Sequence, residues 1–177
     1  MDARSDNNGG TDDGTDDDTD SASRQLRECL GRFATGVTVV TCVDASSTPC
    51  GITANSFSSV SLEPPLVLWN IAKVSQSIDA YLDAEYFGVN VLAADQQTVS
   101  VHFAQSQHNL YAGIEYHLTD RDVPRLDGTL AWFECRTHEI HDGGDHFIIV
   151  GEVVDFETAE GDPLLFFRGG YTGLPHG

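Results

Sequence analysis

A hairpin signal near the C terminus limits the folds that are open to this chain. Residues Thr129–Ile140 and His146–Glu157 are two long runs rich in β-branched and aromatic side chains, which favour strands. They are joined by the five residues His141-Asp-Gly-Gly-Asp145, and Asp-Gly and Gly-Gly pairs supply the positive φ angles that a tight hairpin requires. This arrangement predicts two antiparallel strands as a main part of the fold.

The rest of the chain carries shorter strand signals and three helix signals. Strands and helices do not alternate regularly, no GxGxxG follows a strand and no Walker motif is present, so neither a Rossmann domain nor a P-loop is supported. The pattern predicts a mainly β fold with peripheral helices, in the form of an antiparallel barrel. The further predicted strands are Val37–Val43, Gly51–Ser56, Leu66–Ile71, Phe87–Leu92 and Leu164–Arg168, and the helices start at Ser23, Ser77 and Gln96.

The first 23 residues differ in composition from the rest of the chain. They contain eight Asp and one Arg, no aromatic residue and no aliphatic residue larger than alanine except Met1. Such a segment buries too little apolar surface to offset the entropy of ordering it, so residues 1–23 are predicted to be a disordered acidic tail and residues 24–177 the folded domain. The tail lacks the apolar core of a secretory signal, which favours a cytoplasmic protein, and no apolar run approaches the length of a membrane span.

The folded part is itself strongly acidic. The net charge is −19, and the tail accounts for −7 (one Arg against eight Asp), which leaves −12 on residues 24–177. Concentrated salt screens the repulsion within such a surface, so a halophilic protein is one interpretation and an ordinary acidic mesophilic protein the other. Nucleic acid and anionic membranes are not expected as partners, because both bind basic patches.

Lys73 is the only lysine in the chain, and Ser75 and Ser77 follow it closely. An ammonium group and small hydroxyls can all donate hydrogen bonds to phosphate oxygens without crowding them. The three side chains are therefore a candidate phosphate site. The alternative is a serine-rich surface loop that contains a lysine by chance.

Two other sets of chemically active side chains carry weaker signals. The four cysteines, Cys29, Cys42, Cys50 and Cys135, contain no CxxC pair, so they are predicted to be small buried side chains. The histidines His138, His141 and His146 lie near acidic residues, but strand alternation would scatter them over both faces of a hairpin. No metal site is predicted.

Four sequence blocks stand in the order found in a known family. They are residues 32–41 (RFATGVTVVT), residues 51–61 (GITANSFSSVS) followed by PPLV at 64–67, residues 144–146 (GDH) followed by GE at 151–152, and residues 163–169 (PLLFFRG). Together these blocks resemble the short-chain flavin reductases, the small reductase components of two-component flavin monooxygenases. The resemblance extends from about Arg24 to Tyr171.

The resemblance implies an FMN-binding split barrel, a Greek-key antiparallel β-barrel that forms a homodimer. It implies FMN or FAD as the flavin, NADH or NADPH as the electron donor, and a monooxygenase partner that receives the reduced flavin. No catalytic side chain is implied, because hydride transfer between the two cofactors is their own chemistry. Carried over by position, the isoalloxazine ring is expected at Thr53, Ala54, Asn55 and Ser56, the flavin phosphate at Lys73, Ser75 and Ser77, and the nicotinamide nucleotide at His146 and Tyr171.

The chain departs from the family pattern at three positions. Ile52 stands where a methionine is common, Phe166 where a tyrosine is common, and Gly170 where a second arginine often follows Arg168. Two alternatives therefore remain open: a non-catalytic FMN-binding carrier or redox sensor, and a flavin oxidase with the same barrel. The missing arginine favours the first, and the Gly-Asp-His block argues against the second.

Overall fold

The structure is a computed structural model that describes residues 15–105 and 110–174. Within these ranges the chain forms twelve strands and three helices. The helices are α1 Thr15–Leu30, α2 Ile78–Asp83 and α3 Gln97–Gln105. The strands are β1 Thr35–Gly36, β2 Thr38–Val43, β3 Pro49–Ala54, β4 Ser58–Leu62, β5 Pro65–Ala72, β6 Tyr86–Val91, β7 Tyr116–Leu118, β8 Pro124–Leu126, β9 Ala131–Asp142, β10 His146–Thr158, β11 Leu165–Phe167 and β12 Gly170–Thr172.

A seven-stranded antiparallel sheet dominates the fold, with the order β3-β2-β6-β9-β10-β5-β4. β3 and β4 are the two outermost strands of this sheet, and they follow each other in the chain, so the short β3–β4 connection joins its two edges. There the Ser56 hydroxyl accepts a hydrogen bond from the Asn70 amide at 2.9 Å and donates one to the Asn70 carbonyl at 3.3 Å. Side-chain bonds, not a continuous ladder, therefore close the sheet. The predicted mainly β fold with peripheral helices is confirmed.

The predicted hairpin forms the centre of this sheet as β9 and β10. Its turn contains Gly143 and Gly144, and Gly144 has the positive φ of 86° that the sequence predicted for this turn. Gly151 lies where the register of β9 and β10 shifts, and a Cβ atom there would lie 2.5 Å from Cζ of Phe87. Only glycine lets the two long strands bend over the core at this point.

Two groups of buried side chains fill the interior. The larger one surrounds Trp69, which has no exposed surface and packs edge-on against Tyr81, with ring centroids 5.1 Å apart. Phe87 lies on the other side, 6.2 Å from the Trp69 ring. The second group lies under α3 and contains Val37, Val39, Leu92, Phe103, Leu126 and Leu164.

One charged side chain lies inside this apolar interior. Glu134 on β9 is only 1% exposed, and its carboxylate accepts hydrogen bonds from the Arg121 guanidinium and the Thr119 hydroxyl, both at 2.5 Å. Burying a carboxylate is costly unless it is paired and hydrogen-bonded, as it is here. The hydrogen bond to Glu134 also raises the pKa of Arg121.

The structure differs from the sequence prediction in six elements. Five short strands, β1, β4, β7, β8 and β12, were not predicted, because each is formed by pairing with a neighbour and its own residues carry little strand signal. Helix α1 begins at Thr15, not at Ser23, so residues 15–23 are helical although the sequence assigned them to the disordered tail. Extending an existing helix by a few residues costs little. Residues 1–14 lie outside the described residues, and disorder there stays a prediction.

None of the three helices in the described ranges is both long and apolar enough to cross a bilayer.

Candidate functional site

A cavity of about 430 Å³ lies between the hairpin and the β3–β4 connection. Its floor is one face of the sheet. Asn70 on β5 lies directly opposite Ile148 on β10, and Ala72 lies opposite His146, so these four side chains share a face. The floor is therefore apolar at Ile148 and Ala72 and polar at Asn70 and His146.

The wall of this cavity is the end of β3 and the connection that follows it, residues 53–56. The Thr53 hydroxyl donates to the Ser100 carbonyl of α3 at 2.6 Å, and the Ser56 hydroxyl is bonded to the Asn70 backbone. Both hydroxyls therefore help to hold the wall in shape. Because β3 is an edge strand, alternate backbone groups along it face away from β2 and can bond a ligand. Thr53, Ala54, Asn55 and Ser56 are thus brought together with His146 around a single cavity.

Ser75 and Ser77 line a second, larger cavity of about 920 Å³. Their hydroxyl oxygens are 3.3 Å apart, close enough to donate to oxygens of one phosphate group. Ile52 lines both cavities, so the two are neighbours along β3. The predicted ring residues and these two predicted phosphate residues therefore occupy adjoining spaces.

Lys73 lines neither of these cavities. Its ammonium group lies 2.6 Å from a carboxylate oxygen of Asp142 and 4.9 Å from the ring centroid of Phe147. Its backbone N–H donates to the Asp145 carbonyl at 2.9 Å. The hydrogen bond from Lys73, helped by one from the Gly144 amide, lowers the pKa of Asp142. The lone lysine is thus ion-paired at the β9–β10 turn, about one residue beyond the cavity floor at Ala72.

His146 stands at the first position of β10, where it lines the smaller cavity and is half exposed. Its Nδ1 lies 2.7 Å from a carboxylate oxygen of Asp145, and the hydrogen bond to His146 lowers the pKa of that carboxyl group. A carboxylate on Nδ1 fixes the orientation of an imidazole ring and its tautomer. Nε2 is then the ring nitrogen that can meet a ligand.

Tyr171 does not join His146. It lies on β12, its hydroxyl is 2.9 Å from the Ser100 hydroxyl, and its ring packs against Phe166 with centroids 5.4 Å apart. Since Thr53 also bonds Ser100, Tyr171 supports the cavity wall from behind through α3. Tyr171 does not line either of the two cavities.

Two lining residues were missed by the sequence analysis. Asn70 lies in a strand that was read as apolar throughout, and its side-chain oxygen is buried without a hydrogen-bond partner among the described residues. Tyr111 lines the larger cavity, donates its hydroxyl to the Cys50 carbonyl at 2.8 Å, and has a pKa raised by burial. A lone asparagine inside an apolar strand is a signal that could have been used. The position of Tyr111 follows only from the packing of α3.

Among the described residues, no group of three or more His, Cys, Asp or Glu side chains is placed to hold a metal ion.

Comparisons with known proteins bear on the same region. The family model described as "Flavin reductase like domain" matches residues 30–175. The chain is 47% identical over 149 residues to FMN reductase (NADH) SmoA of Agrobacterium fabrum, covering 84% of each protein. Among solved structures, nitrilotriacetate monooxygenase component B of Mycobacterium thermoresistibile has a TM-score of 0.85 and 41% identity, with 89% of each chain covered.

A further solved structure is that of the Streptomyces globisporus NADH:FAD oxidoreductase SgcE6 with NAD and FAD fragments. It has a TM-score of 0.83 and 37% identity, and the match covers 88% of this chain and 94% of that one. The predicted split-barrel fold is confirmed by this likeness. With a family model that spans nearly the whole described structure, this chain belongs to the flavin reductase-like family.

Proposed function

We propose that this protein is an NAD(P)H-dependent flavin reductase that passes a hydride from nicotinamide to FMN or FAD and supplies the reduced flavin to a partner monooxygenase. The observation that carries the proposal is the cavity in which residues 53–56 face His146, beside a second cavity lined by Ser75 and Ser77. Family membership supports the same reaction, since the relatives named above are an NADH-dependent FMN reductase, a monooxygenase component and an NADH:FAD oxidoreductase.

The residues present fit a flavin. A flat aromatic ring with polar edges needs an apolar floor and a few hydrogen-bonding groups at its rim. Ile148 and Ala72 supply the floor, and the buried side-chain oxygen of Asn70 is an acceptor that lacks a partner among the described residues. Such an orphaned acceptor is costly unless a ligand or water bonds to it. The flavin phosphate is assigned to Ser75 and Ser77 in the adjoining cavity, and Lys73 lies two residues before Ser75 in the chain.

When bound, the flavin supplies the electron-accepting chemistry, and the protein supplies position and electrostatics. The β3 edge and the β3–β4 connection offer backbone groups to the ring. His146, held by Asp145, is positioned to contact the nicotinamide nucleotide at the cavity mouth through Nε2. Orientation of two reactants at van der Waals distance is the main rate advantage that such a site can give.

Anaerobic stopped-flow mixing tests the proposal. Purified protein with FMN, and separately with FAD, is mixed with NADH or NADPH, and the loss of oxidised-flavin absorbance is followed. We expect reduction by at least one nicotinamide, with one equivalent oxidised per flavin. If neither nicotinamide reduces either flavin faster than in the absence of protein, the protein is not a reductase.

His146 gives a sharper prediction in the same experiment. His146→Ala should lower the second-order rate of flavin reduction about tenfold or more, a loss of about 1.4 kcal/mol or more in transition-state stabilisation. The flavin dissociation constant should change less than about twofold, because the flavin ring is assigned to residues 53–56, Ala72 and Ile148 and the imidazole to the nicotinamide nucleotide. Asp145→Asn is the matched control, because it keeps a hydrogen-bonding partner for Nδ1 and should lose much less. Release of flavin by His146→Ala would contradict the assignment.

A flavin carrier or redox sensor is the second candidate function. It is favoured by Gly170 and by the lack of any arginine or lysine among the described residues that line the two cavities. A dinucleotide carries a pyrophosphate that such side chains commonly bind. Tight flavin binding without nicotinamide turnover would establish this candidate.

We further propose that two copies form a homodimer. Leu26 and Leu30 on α1 and Phe33 just after it are 60%, 65% and 78% exposed, and they repeat at helical spacing on one face. Phe156 on β10 is 70% exposed as well. An apolar face of this kind is normally covered in the assembled protein. Sedimentation equilibrium should give a dimer, and a monomer at micromolar concentration would argue against it.

A salt-rich cytoplasm is the setting that we propose for this protein. The net charge of the chain is −19, and the excess negative side chains repel one another in dilute buffer. All four cysteines lie within the described ranges and carry free thiols, as is usual for proteins of reducing compartments. The free energy of unfolding should therefore rise as KCl increases from low to molar concentration, because salt screens the repulsion. Urea titrations across that range test this, and greatest stability in dilute buffer would refute it. Fractionation of the source cells tests the compartment.

A further inference from the structure

Two of the four thiols face each other across the β2–β3 hairpin. Cys42 on β2 and Cys50 on β3 are directly opposite in the strand register. Cys42 is fully buried in the larger core group, whereas Cys50 is half-buried and lines the cavity of about 920 Å³. Nothing in the proposed reductase reaction uses either thiol.

The backbone brings the pair close to disulfide distance. The Asp44 amide donates to the Thr48 carbonyl at 3.0 Å, so Asp44 and Thr48 are a hydrogen-bonded pair of the hairpin. Hydrogen-bonded and non-hydrogen-bonded pairs alternate along an antiparallel ladder, and Cys42 and Cys50 are two positions further from the turn. They are therefore a hydrogen-bonded pair too. The Cα atoms of such pairs are about 5.5 Å apart, inside the range of about 4.4–6.8 Å found for disulfides. Their Cβ atoms are about 4.5–5.5 Å apart and must approach by up to roughly 1 Å.

The strand that has to move has a sheet neighbour on one side. Among the described residues, β3 lies at the edge of the sheet and has a ladder partner only in β2. It also begins at Pro49, which has no N–H to lose. A bond that forms with some strain is reduced more easily than an unstrained one, and such bonds are typically the labile, regulatory ones. The geometry therefore suits a reversible disulfide better than a permanent one.

The two thiols differ in reactivity. A hydrogen bond from Cys42 lowers the pKa of Cys50, while the pKa of Cys42 is raised by its hydrogen bond to Cys50 and by burial. Cys135, by contrast, is buried beside Glu134, and burial together with that charge raises its pKa to about 12. Cys50 lines the cavity and can meet a small oxidant, whereas Cys42 and Cys135 are fully buried, so Cys50 is the attacking thiol, Cys42 the resolving one, and Cys135 inert.

We propose that Cys42 and Cys50 form a reversible disulfide across the β2–β3 hairpin when the protein meets hydrogen peroxide. The Cys50 thiolate attacks one peroxide oxygen, the O–O bond breaks, and hydroxide leaves and takes up a proton, which gives a sulfenic acid at Cys50. The Cys42 sulfur then attacks the Cys50 sulfur, the S–O bond breaks, and water leaves with the Cys42 proton. Two thiols and one peroxide yield one disulfide and two waters, and the sulfurs lose two electrons to the peroxide.

The bond has a consequence for the neighbouring cavity, and this part rests on the proposed function. The Cys50 carbonyl accepts a hydrogen bond from the Tyr111 hydroxyl, and both residues line the same cavity as Ser75 and Ser77. Drawing Cys50 toward Cys42 moves this part of the lining away from the shape that the reduced protein offers to the flavin. Flavin affinity should therefore fall in the oxidised protein. Hydrogen peroxide arises wherever reduced flavin meets dioxygen. Formation of the disulfide would therefore lower the rate of flavin reduction when the partner monooxygenase is not consuming the reduced flavin.

Mass spectrometry of the full-length protein tests the disulfide without reference to flavin. Trypsin cuts after Arg32 and Lys73, so the peptide Phe33–Lys73 contains Cys42 and Cys50 and no other cysteine. After treatment with a few equivalents of hydrogen peroxide and alkylation, this peptide should be about 2 Da lighter than the unmodified reduced peptide and carry no alkyl group, since two hydrogens are lost. Dithiothreitol should restore two alkylated thiols. A peptide that stays fully alkylated, or gains about 16 or 32 Da as sulfenic or sulfinic acid, overturns the proposal.

Matched variants test the role of individual cysteines, and they test the disulfide separately from its effect on flavin binding. Cys29→Ser should leave the loss of about 2 Da unchanged, because Cys29 is exposed on α1 far along the chain from the pair. Cys50→Ser should abolish it and leave Cys42 unmodified. In fluorescence titrations, peroxide should weaken FMN binding by the parent protein about threefold or more, which corresponds to about 0.7 kcal/mol. Peroxide should not weaken FMN binding by Cys50→Ser. A disulfide without this loss overturns only the effect on the cavity.

Discussion

Lys73→Ala should weaken FMN binding by about 1–3 kcal/mol, the range for a hydrogen bond to a charged group. Riboflavin, which has no phosphate, should bind both proteins almost equally. The expectation rests on the position of Lys73 at the end of β5, two residues before Ser75, and on its being the only lysine in a chain with a net charge of −19. Fluorescence-quenching titrations of both flavins against both proteins measure the difference.

The ion pair between Lys73 and Asp142 supplies the control for this prediction. The ammonium group now contacts the Asp142 carboxylate at 2.6 Å and must share its charge between that group and a phosphate. Asp142→Asn removes the competing charge and keeps the turn, so FMN should bind this variant at least as tightly as the parent. Equal losses of FMN and riboflavin in Lys73→Ala would mean that Lys73 acts only by holding the β9–β10 turn against Phe147.

Trp69→Ala should lower the free energy of unfolding by about 3–5 kcal/mol, the usual cost of removing a large buried aromatic side chain. Trp69 has no exposed surface and joins β5 to α2 and β6 through its contacts with Tyr81 and Phe87. Tyr81 in turn donates its hydroxyl to the Val40 carbonyl, so the ring of Trp69 also steadies a buried hydrogen bond. Urea unfolding at one fixed KCl concentration measures the loss.

Trp69→Phe distinguishes packing from hydrogen bonding at the same position. The indole N–H is buried and has no acceptor among the described residues, so phenylalanine removes no hydrogen bond and loses only part of the ring volume. A smaller loss of roughly 1–2 kcal/mol is expected. If phenylalanine costs as much as alanine, the indole N–H has a partner, such as a bound water, that matters more than the packing.

Much of the fold could be predicted from local pattern. The β9–β10 hairpin, β2, β3, β5, β6, α2 and α3 were all predicted within a few residues, because each carries its own periodicity or turn residues. The resemblance placed residues 53–56 at the isoalloxazine ring; the structure brings them together with His146 around one cavity, and their contact with a flavin stays a prediction. Lys73 could not be predicted in the same way: its partner Asp142 is 69 residues away, and only the pairing of β5 with β10 brings the two together.

The sequence by itself determined the class of fold, the acidic surface and the family. Patterns of strand length predict the fold class, composition gives the excess of acidic residues, and short ordered blocks indicate the family. The tertiary structure alone decided which polar groups meet. It buries Glu134 against Arg121, turns Tyr171 toward Ser100 and sets Cys42 opposite Cys50. It also leaves the Asn70 side-chain oxygen without a partner among the described residues. The physical reason is that propensity and pattern act over neighbouring residues, whereas desolvation and hydrogen bonding depend on strand register, which joins residues distant in the chain.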